Sequence, residues 1–440
     1  MKSQHDRGKD FTGSRKPISM RFYEVTMPIL SPFLQELQDR GYLYQCTDLA
    51  RLDSLIASKQ PISAYLGFDM TAPSLHVGSL MQIMILRLLQ KHGIKPLVLV
   101  GGATSRIGDP SLRDQERTLL SDAEIDNNRR GIKEVLSRFL TFGEGPSDAL
   151  MVDNADWLSD LRYIDFLRDF GRHFSVNRML GMDSIKNRLE REQSLSFLEF
   201  NYMLLQAYDF TWLNRHHRCR IQFGGSDQWG NIVMGTDLNR RIGGEELFGV
   251  TSPLLTTAAG TKMGKTASGA VWLTGSMLSP YDYWQFWRNC DDRDVGRFLR
   301  LFTALPLAEI LELETATGAA LNTAKKRLAT LATALCHGEQ AAKQAEETAS
   351  QTFEQGLSAE NLPTVEIALS RLTQGIPCYE LFAEVGLCAS KGEARKLIRG
   401  KGARVNGEVI SDEAQLITLL AGETLQLSAG KKQHMRIKAV

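Results

Sequence analysis

At 440 residues the chain is too long for one hydrophobic core, and about three domains are expected. Hydrophobic residues make up 43% and charged residues 23%, the balance of an ordinary globular protein. The formal net charge of +1 excludes a chain-wide polycation, so any RNA-binding surface must come from local clustering.

No run of about 18 apolar residues occurs, so no membrane-spanning helix is expected. The six cysteines (Cys46, Cys219, Cys290, Cys336, Cys378 and Cys388) are scattered without CxxC spacing, which fits reduced thiols in a cytosol. His216, His217 and Cys219 lie close together but lack a fourth ligand, and read as a polar loop and not as zinc ligands.

In chain order, residues 1 to 21 carry six Lys or Arg against Asp6 and Asp10, with no apolar core to make a signal peptide. Residues 1–26 are expected to be a basic, disordered extension, with an upstream choice of start codon or an organelle transit peptide as the alternatives. Leu34 to Gln60 is helical in pattern, with Gly41 as a stop and Asp48 as a cap. Ala64 to Leu80, AYLGFDMTAPSLHVGSL, reads as a strand, a turn and a helix opening at Ser74 to His76. That arrangement is where a parallel α/β sheet places its ligands, and the helix start suits phosphate. Gly67 and Gly78 lack a Cβ and let a flat ligand lie against the backbone.

Leu97 to Val100 reads as a buried parallel strand, and Gly101-Gly102 and Gly108-Asp109-Pro110 as loop material beyond it. Asp122 to Leu140 is an amphipathic helix, Leu150 to Val152 a short strand, and Leu161 to Leu195 helical with irregular charge. In Glu199 to Asp209, Tyr202, Gln206 and Asp209 are spaced i, i+4 and i+7 and share one helix face. Cys219 to Gln222 forms a further strand, with Asp227 and Gln228 at the start of the next helix. Lys262-Met263-Gly264-Lys265-Thr266 follows, with two lysines around a glycine in a loop able to fold over a triphosphate. Ser279 to about Ala359 is Ala-, Leu-, Glu- and Lys-rich and helical. Asn361 to Thr373 reads as a linker with a short helix. Pro377 to Glu384 and Ser390 to Arg399 are two short helices, and Arg404 to Val409 carries an Asn-Gly hairpin signal. Lys391 to Arg404 holds six basic residues and one acid, net +5.

These motifs together resemble bacterial tyrosyl-tRNA synthetases, within class I of the aminoacyl-tRNA synthetases. His76 to Ser79, HVGS, is similar to the HIGH motif, and KMGKT (Lys262 to Thr266) to the KMSKS loop. The resemblance runs from about Met27 to the C-terminus. It implies a Rossmann-like parallel-sheet α/β catalytic domain (27–253) with a connective insertion (about 160–218) through which these enzymes dimerise. A loop linker (254–280), an α-helical anticodon-arm domain (281–360), a linker (361–374) and a small α+β S4-like RNA-binding domain (375–440) would follow.

By the same resemblance Thr71, His76, Lys262, Lys265 and Thr266 are catalytic. Tyr65, Asp69, Thr104, Asp109, Asn154, Tyr202, Gln206, Asp209 and Gln228 would bind L-tyrosine. Gly67, Asp69, His76, Ser79, Gly225, Asp227 and Lys265 would bind ATP. Arg113 and Arg117 would reach the pyrophosphate, a solvated face being the alternative. Lys391, Arg395, Lys396, Arg399, Lys401 and Arg404 would contact RNA, again with a solvated face as the alternative.

Carboxylate activation needs positioning and electrostatics more than covalent catalysis. ATP would enter as a substrate with Mg2+ bridging its phosphates, and the sequence offers no metal cage. The implied partners are tRNA(Tyr), tyrosine, ATP and a second copy of the chain, in the cytoplasm and with no membrane. Three positions depart from the family wording: Ser79 where a second His is commoner, and Ser105-Arg106 where Gly-Leu is commoner. The rivals are the tryptophanyl enzyme, against which Tyr65 and Asp209 argue, and a catalytically silent RNA-binding paralogue.

Overall fold

The computed structural model describes residues 29–109, 120–266, 269–354, 362–420, 423–430 and 433–440, without the side chains of 265–266 and 351–354. The expected extension at 1–26, and Arg113 and Arg117, lie outside the described residues.

Six strands form the sheet that carries the site: β1 (Gln45–Cys46), β2 (Ser63–Phe68), β3 (Lys95–Val100), β4 (Leu150–Asp153), β5 (Cys219–Gly225) and β6 (Phe248–Ser252), in the order β1-β6-β5-β2-β3-β4. All neighbours are parallel except β1, which pairs antiparallel with β6. The central strands read as continuous apolar runs because helices cover both faces, and Ala64, Tyr65, Leu66, Leu97, Val98 and Val100 are buried. The first strand of the parallel set, β2, lies between β3 and β5. The connections therefore leave it in opposite directions and open a crevice at the strands' C-terminal ends.

Four helices frame this half: α1 (Pro32–Asp39), α2 (Leu49–Ala57), α3 (Leu80–Lys91) and α4 (Asp122–Leu136). Asp48 caps α2 by accepting from the backbone N–H of Arg51, and Gly41 takes a φ of +85° beyond α1, where a side chain would be strained. Ser121 and Glu124 form a capping box at the start of α4. The helix expected from Ser74 begins instead at Leu80, because residues Val77–Ser79 make one tighter turn first, with His76 as its cap. Likewise α4 stops at Leu136, and Phe139 and Leu140 reach the core from the turn beyond it.

Leu161 to Leu195 is helical as expected, divided into the helices Tyr163–Asp169, Val176–Leu180 and Asp183–Glu190, and other expectations are corrected. Gly171 and Gly181 lie in the breaks between them. The described residues 362–374 include the expected short helix, Leu369–Gln374, but the rest is not a linker. Thr364–Ile367 is an edge strand, parallel to Gln433–Ala439 in a five-stranded sheet, and Leu372 is fully buried in the C-terminal apolar cluster. Pro363 suits that edge, where its missing N–H breaks no ladder. The helices between Pro280 and Glu354 do not form a core of their own: Trp284, Trp287, Phe298 and Leu328 join the cluster that holds Leu34, Val98 and Phe223. Residues of the expected 254–280 linker, among them Leu255, Met263 and Leu273, are buried in the same cluster.

The seam is also polar. The Arg40 guanidinium donates to the carbonyls of Arg300, Thr303 and Leu305, while the Tyr42 hydroxyl donates to the carbonyl of Leu301. Among the described residues no helix is long and apolar enough to cross a membrane.

Candidate active site

A cavity of about 340 Å³ occupies the crevice beyond β2, β3 and β5, within the usual range for a small-molecule site. Its lining includes Tyr65, Gly67, Asp69, Thr71, His76, Ser79, Thr104, Asp109, Asn154, Tyr202, Gln206, Asp209, Gly225, Asp227, Gln228 and Lys262. Every expected catalytic, tyrosine-binding and ATP-binding residue whose side chain is described therefore faces one space. Lys265 and Thr266 pair as backbone with Gly269 and Ala270, and their side chains lie outside the described residues.

The closed end is built by the Phe197–His217 helix. A capping box of Ser196 and Glu199 starts this helix, and a buried Arg188–Glu199 ion pair ties its first turn to the preceding segment. Asp209 is 1% exposed and accepts from Trp157 Nε1 at 2.7 Å and Asn154 Nδ2 at 3.0 Å. Burial outweighs those two donors and pushes its carboxyl up to about 7. Tyr65 lies on β2, and its buried hydroxyl has no hydrogen-bond partner among the described residues. Gln222, its register partner on β5, has a buried Oε1 that is also unpartnered. Buried polar atoms without partners are costly, and a polar ligand entering the cavity would relieve both.

The middle of the cavity holds several separate hydrogen-bonded polar groups. The Tyr202 hydroxyl donates to Asp69 at 3.2 Å, Asn154 donates to the Thr104 hydroxyl at 2.9 Å, and Gln228 donates to Asp109 at 2.6 Å. Gln206 reaches Gln228 Oε1 at 3.3 Å, and Asn231 donates to both glutamines. A Cβ on Gly67 would meet nothing within 4 Å, so the cavity reaches that backbone directly.

At the mouth the two signature segments meet. His76 Nδ1 accepts the N–H of Gly78 at 2.9 Å, so a neutral ring carries its proton on Nε2. Val77 N–H donates to Val271 O, Leu273 N–H to Leu75 O, and Val271 N–H to Gly264 O, which joins the HVGS and KMGKT segments backbone to backbone. Gly264 has a φ of +119°, and a Cβ there would stand 3.0 Å from His76 Nδ1. Asp227 is pushed up by burial, with Lys262 opposing and Asp109 reinforcing the shift.

Sequence reasoning did not single out Trp157 or Asn231 as donors, nor Gln222 or Trp272 as lining residues. For Asn231 a signal existed, since it follows Gln228 by three residues on the next helix. Trp157 lies 52 residues from Asp209, and no local pattern links them. Among the described residues no three His, Cys, Asp or Glu side chains converge on a metal position. His216 stacks on Trp212 at 4.0 Å, and Cys219 is buried.

The basic segment lies on the Lys391–Arg399 helix and the hairpin after it, whose turn residues Asn406 and Gly407 both have positive φ. Lys391 pairs with Glu380 at 2.6 Å and Arg399 with Glu413 at 2.9 Å, while Arg395 stacks over Tyr379 at 4.0 Å. Arg404 donates to the Gly407 carbonyl, and Lys396 and Lys401 are exposed.

Comparison with known proteins places the chain among similar proteins of one family. A family model described as tRNA synthetases class I (W and Y) matches residues 57–354. The chain is 59% identical over 409 residues to a tyrosine–tRNA ligase of Rickettsia bellii, covering 92% of this chain and 99% of that one. It is 58% identical over 412 residues to the corresponding ligase of Rhodospirillum rubrum, covering 93% and 98%. Among solved structures, a C-terminally truncated mitochondrial tyrosyl-tRNA synthetase of Aspergillus nidulans superposes with a TM-score of 0.66 at 30% identity, over 73% of this chain and 94% of that one.

Proposed function

The chain belongs to the class I tyrosyl-tRNA synthetases, and from that premise we propose which of its residues carry each part of the reaction. It activates L-tyrosine with ATP and transfers the tyrosyl group to the 3′-terminal adenosine of tRNA(Tyr). A tyrosine carboxylate oxygen attacks the α-phosphorus, the α–β bond breaks, and pyrophosphate leaves. A ribose hydroxyl of the tRNA then attacks the tyrosyl carbonyl, and AMP leaves.

In our reading the phenol sits at the closed end, exchanging hydrogen bonds with Tyr65 and Asp209. Asp69, Tyr202 and Gln206 hold the ammonium, and Thr104, Asp109, Asn154 and Gln228 fix the rest of the amino acid. Gly67, Ser79, Gly225 and Asp227 receive the nucleotide, with Asp227 on a ribose hydroxyl. Thr71, His76, Lys262, Lys265 and Thr266 stabilise charge on the phosphates, and Arg113 and Arg117 draw on the leaving pyrophosphate. Mg2+ would be held mainly by phosphate oxygens and would supply charge neutralisation there.

The observation that carries this reading is the unpartnered Tyr65 hydroxyl, in the same closed end as Asp209 and in the cavity whose mouth joins the two signature segments. A site built to hydrogen-bond a hydroxyl rejects the analogue that lacks it, a rule for which tyrosyl-tRNA synthetases are themselves the standard case.

The reading extends to a cytoplasmic homodimer. It is supported by exposed Tyr163, Ile164, Val176 and Phe197 on and around the insertion, and by cysteines that are all free. It also assigns the helices after Pro280 to the anticodon arm, and the C-terminal unit with Lys391, Arg395, Lys396, Arg399, Lys401 and Arg404 to RNA.

The test is amino-acid-dependent ATP–pyrophosphate exchange with tyrosine, tryptophan and phenylalanine, without tRNA. Exchange with tyrosine alone is expected. Tryptophan-dependent exchange would refute the phenol site, and no exchange from folded protein would refute the catalytic assignment.

A further inference from the structure

Ser105 and Arg106, where this chain departs from the commoner Gly-Leu, both reach outside their own loop. Ser105 is 4% exposed, and its Oγ accepts the backbone N–H of Met70 at 2.7 Å. Asn128, 6% exposed on α4, donates from Nδ2 to the Met70 carbonyl at 2.8 Å. Met70 is thus gripped on both sides of its Cα, and its own side chain is fully buried in the core. Its two peptide units join directly to Asp69 and to Thr71, both of which line the cavity.

The same helix presses on the loop again one turn later. A Cβ on Gly131 would fall 1.9 Å from the Pro73 carbonyl, so that approach requires glycine. Arg106 pairs with Asp122, the first residue of α4, at 2.9 Å, but both side chains are exposed. An exposed pair of this kind contributes little.

We propose that Ser105 and Asn128 are positioning residues for the amino-acid site, acting through the Met70 backbone to fix the Asp69 carboxylate and the Thr71 hydroxyl. The argument rests on the roles given to Asp69 and Thr71 above. Neither residue touches the substrate. Each supplies one hydrogen bond to a buried peptide group, and its loss would leave that group unpaired. Without it the 69–71 segment relaxes, and Asp69 leaves the position in which the Tyr202 hydroxyl meets it.

The experiment is steady-state ATP–pyrophosphate exchange on the full chain, with KM for tyrosine, KM for ATP and kcat measured separately and melting recorded beside them. Wild type must first show tyrosine-dependent exchange, and failure there refutes the proposed function and not this inference. Ser105→Ala and Asn128→Ala are each expected to raise KM for tyrosine about fivefold, the effect of one hydrogen bond. Combined, they should fall short of the product of the single effects, since both act on one residue. Ser105→Thr keeps an oxygen acceptor and should stay within twofold of wild type, as should the Arg106→Ala control. Unchanged KM for tyrosine in both alanine variants, with only melting or active fraction reduced, would overturn the proposal. So would a threonine variant that behaves like alanine. If Ser105→Ala does not fold, Asn128→Ala and Ser105→Thr decide by the same criterion.

Discussion

With Asp209 in its proposed place against the phenol, tyrosine binding should depend on pH in a direction that can be worked out in advance. Its folded carboxyl titrates near 7 because burial outweighs the donors Trp157 and Asn154, against an ordinary value of 3.8. A carboxyl raised in this way favours the protonated form on folding. Its contribution to stability is complete below 3.8 and is lost as pH rises through about 7.

A phenol donating to Asp209 prefers the ionised carboxylate, so binding expels a proton below pH 7 and weakens as pH falls. The ionised fraction drops from about nine-tenths at pH 8 to about one-tenth at pH 6. The apparent dissociation constant should therefore rise about tenfold across that range. Equilibrium dialysis of labelled tyrosine without ATP measures it directly. Asp209→Asn should bind at least about tenfold more weakly at pH 8, through loss of a charge-assisted hydrogen bond, and should vary less than about twofold from pH 6 to 8. Wild-type affinity constant within twofold over that range would refute the reasoning, as would a slope that survives in the asparagine variant.

Tyr65→Phe removes a hydroxyl that is buried without a partner, so the ligand-free protein should gain up to about 1 kcal/mol in chemical denaturation. The same variant should lose about tenfold of its preference for tyrosine over phenylalanine in exchange assays. Gly264→Ala forces a side chain into a φ of +119° and to within 3.0 Å of His76, a strain of roughly 1–3 kcal/mol. Its kcat for exchange should fall about tenfold or more with KM for tyrosine unchanged, and a shift confined to KM for tyrosine would contradict the placement. Lys396→Ala should lower the slope of log affinity for tRNA against log salt by about 1, since Lys396 has no acidic partner among the described ion pairs. Lys391→Ala should change the slope less, because Glu380 already neutralises that lysine.

Local chemistry was legible in the sequence, and pairing at a distance was not. Asp48 as a helix cap, Asn406-Gly407 as a hairpin turn, and Tyr202, Gln206 and Asp209 on one face follow from short-range rules, and the structure has each of them. The loop residues of the cavity, such as Thr104, Asp109 and Asp227, were legible only through resemblance, because nothing in a short polar loop states which strand end it will meet. The strand Thr364–Ile367 was missed because its partner lies about 70 residues on, and four residues are too few to show a period. The acids that neutralise the basic helix, Glu380 and Glu413, fall outside the segment over which charge was counted. At the sequence level Ser105 and Arg106 stood out only as departures from the family wording, whereas their contacts run to residues 35 and 16 positions away.

The fork of Arg40 on the carbonyls of Arg300, Thr303 and Leu305 bears on how this protein can be recombined. A chimera that takes its helical half from a relative, cut between the halves in sequence order, would leave the guanidinium facing a foreign helix end. The residues that must be inherited together are Glu36 to Tyr42 and Arg300 to Leu305, more than 250 positions apart, while the C-terminal unit, with an apolar cluster of its own, can be exchanged as one cassette.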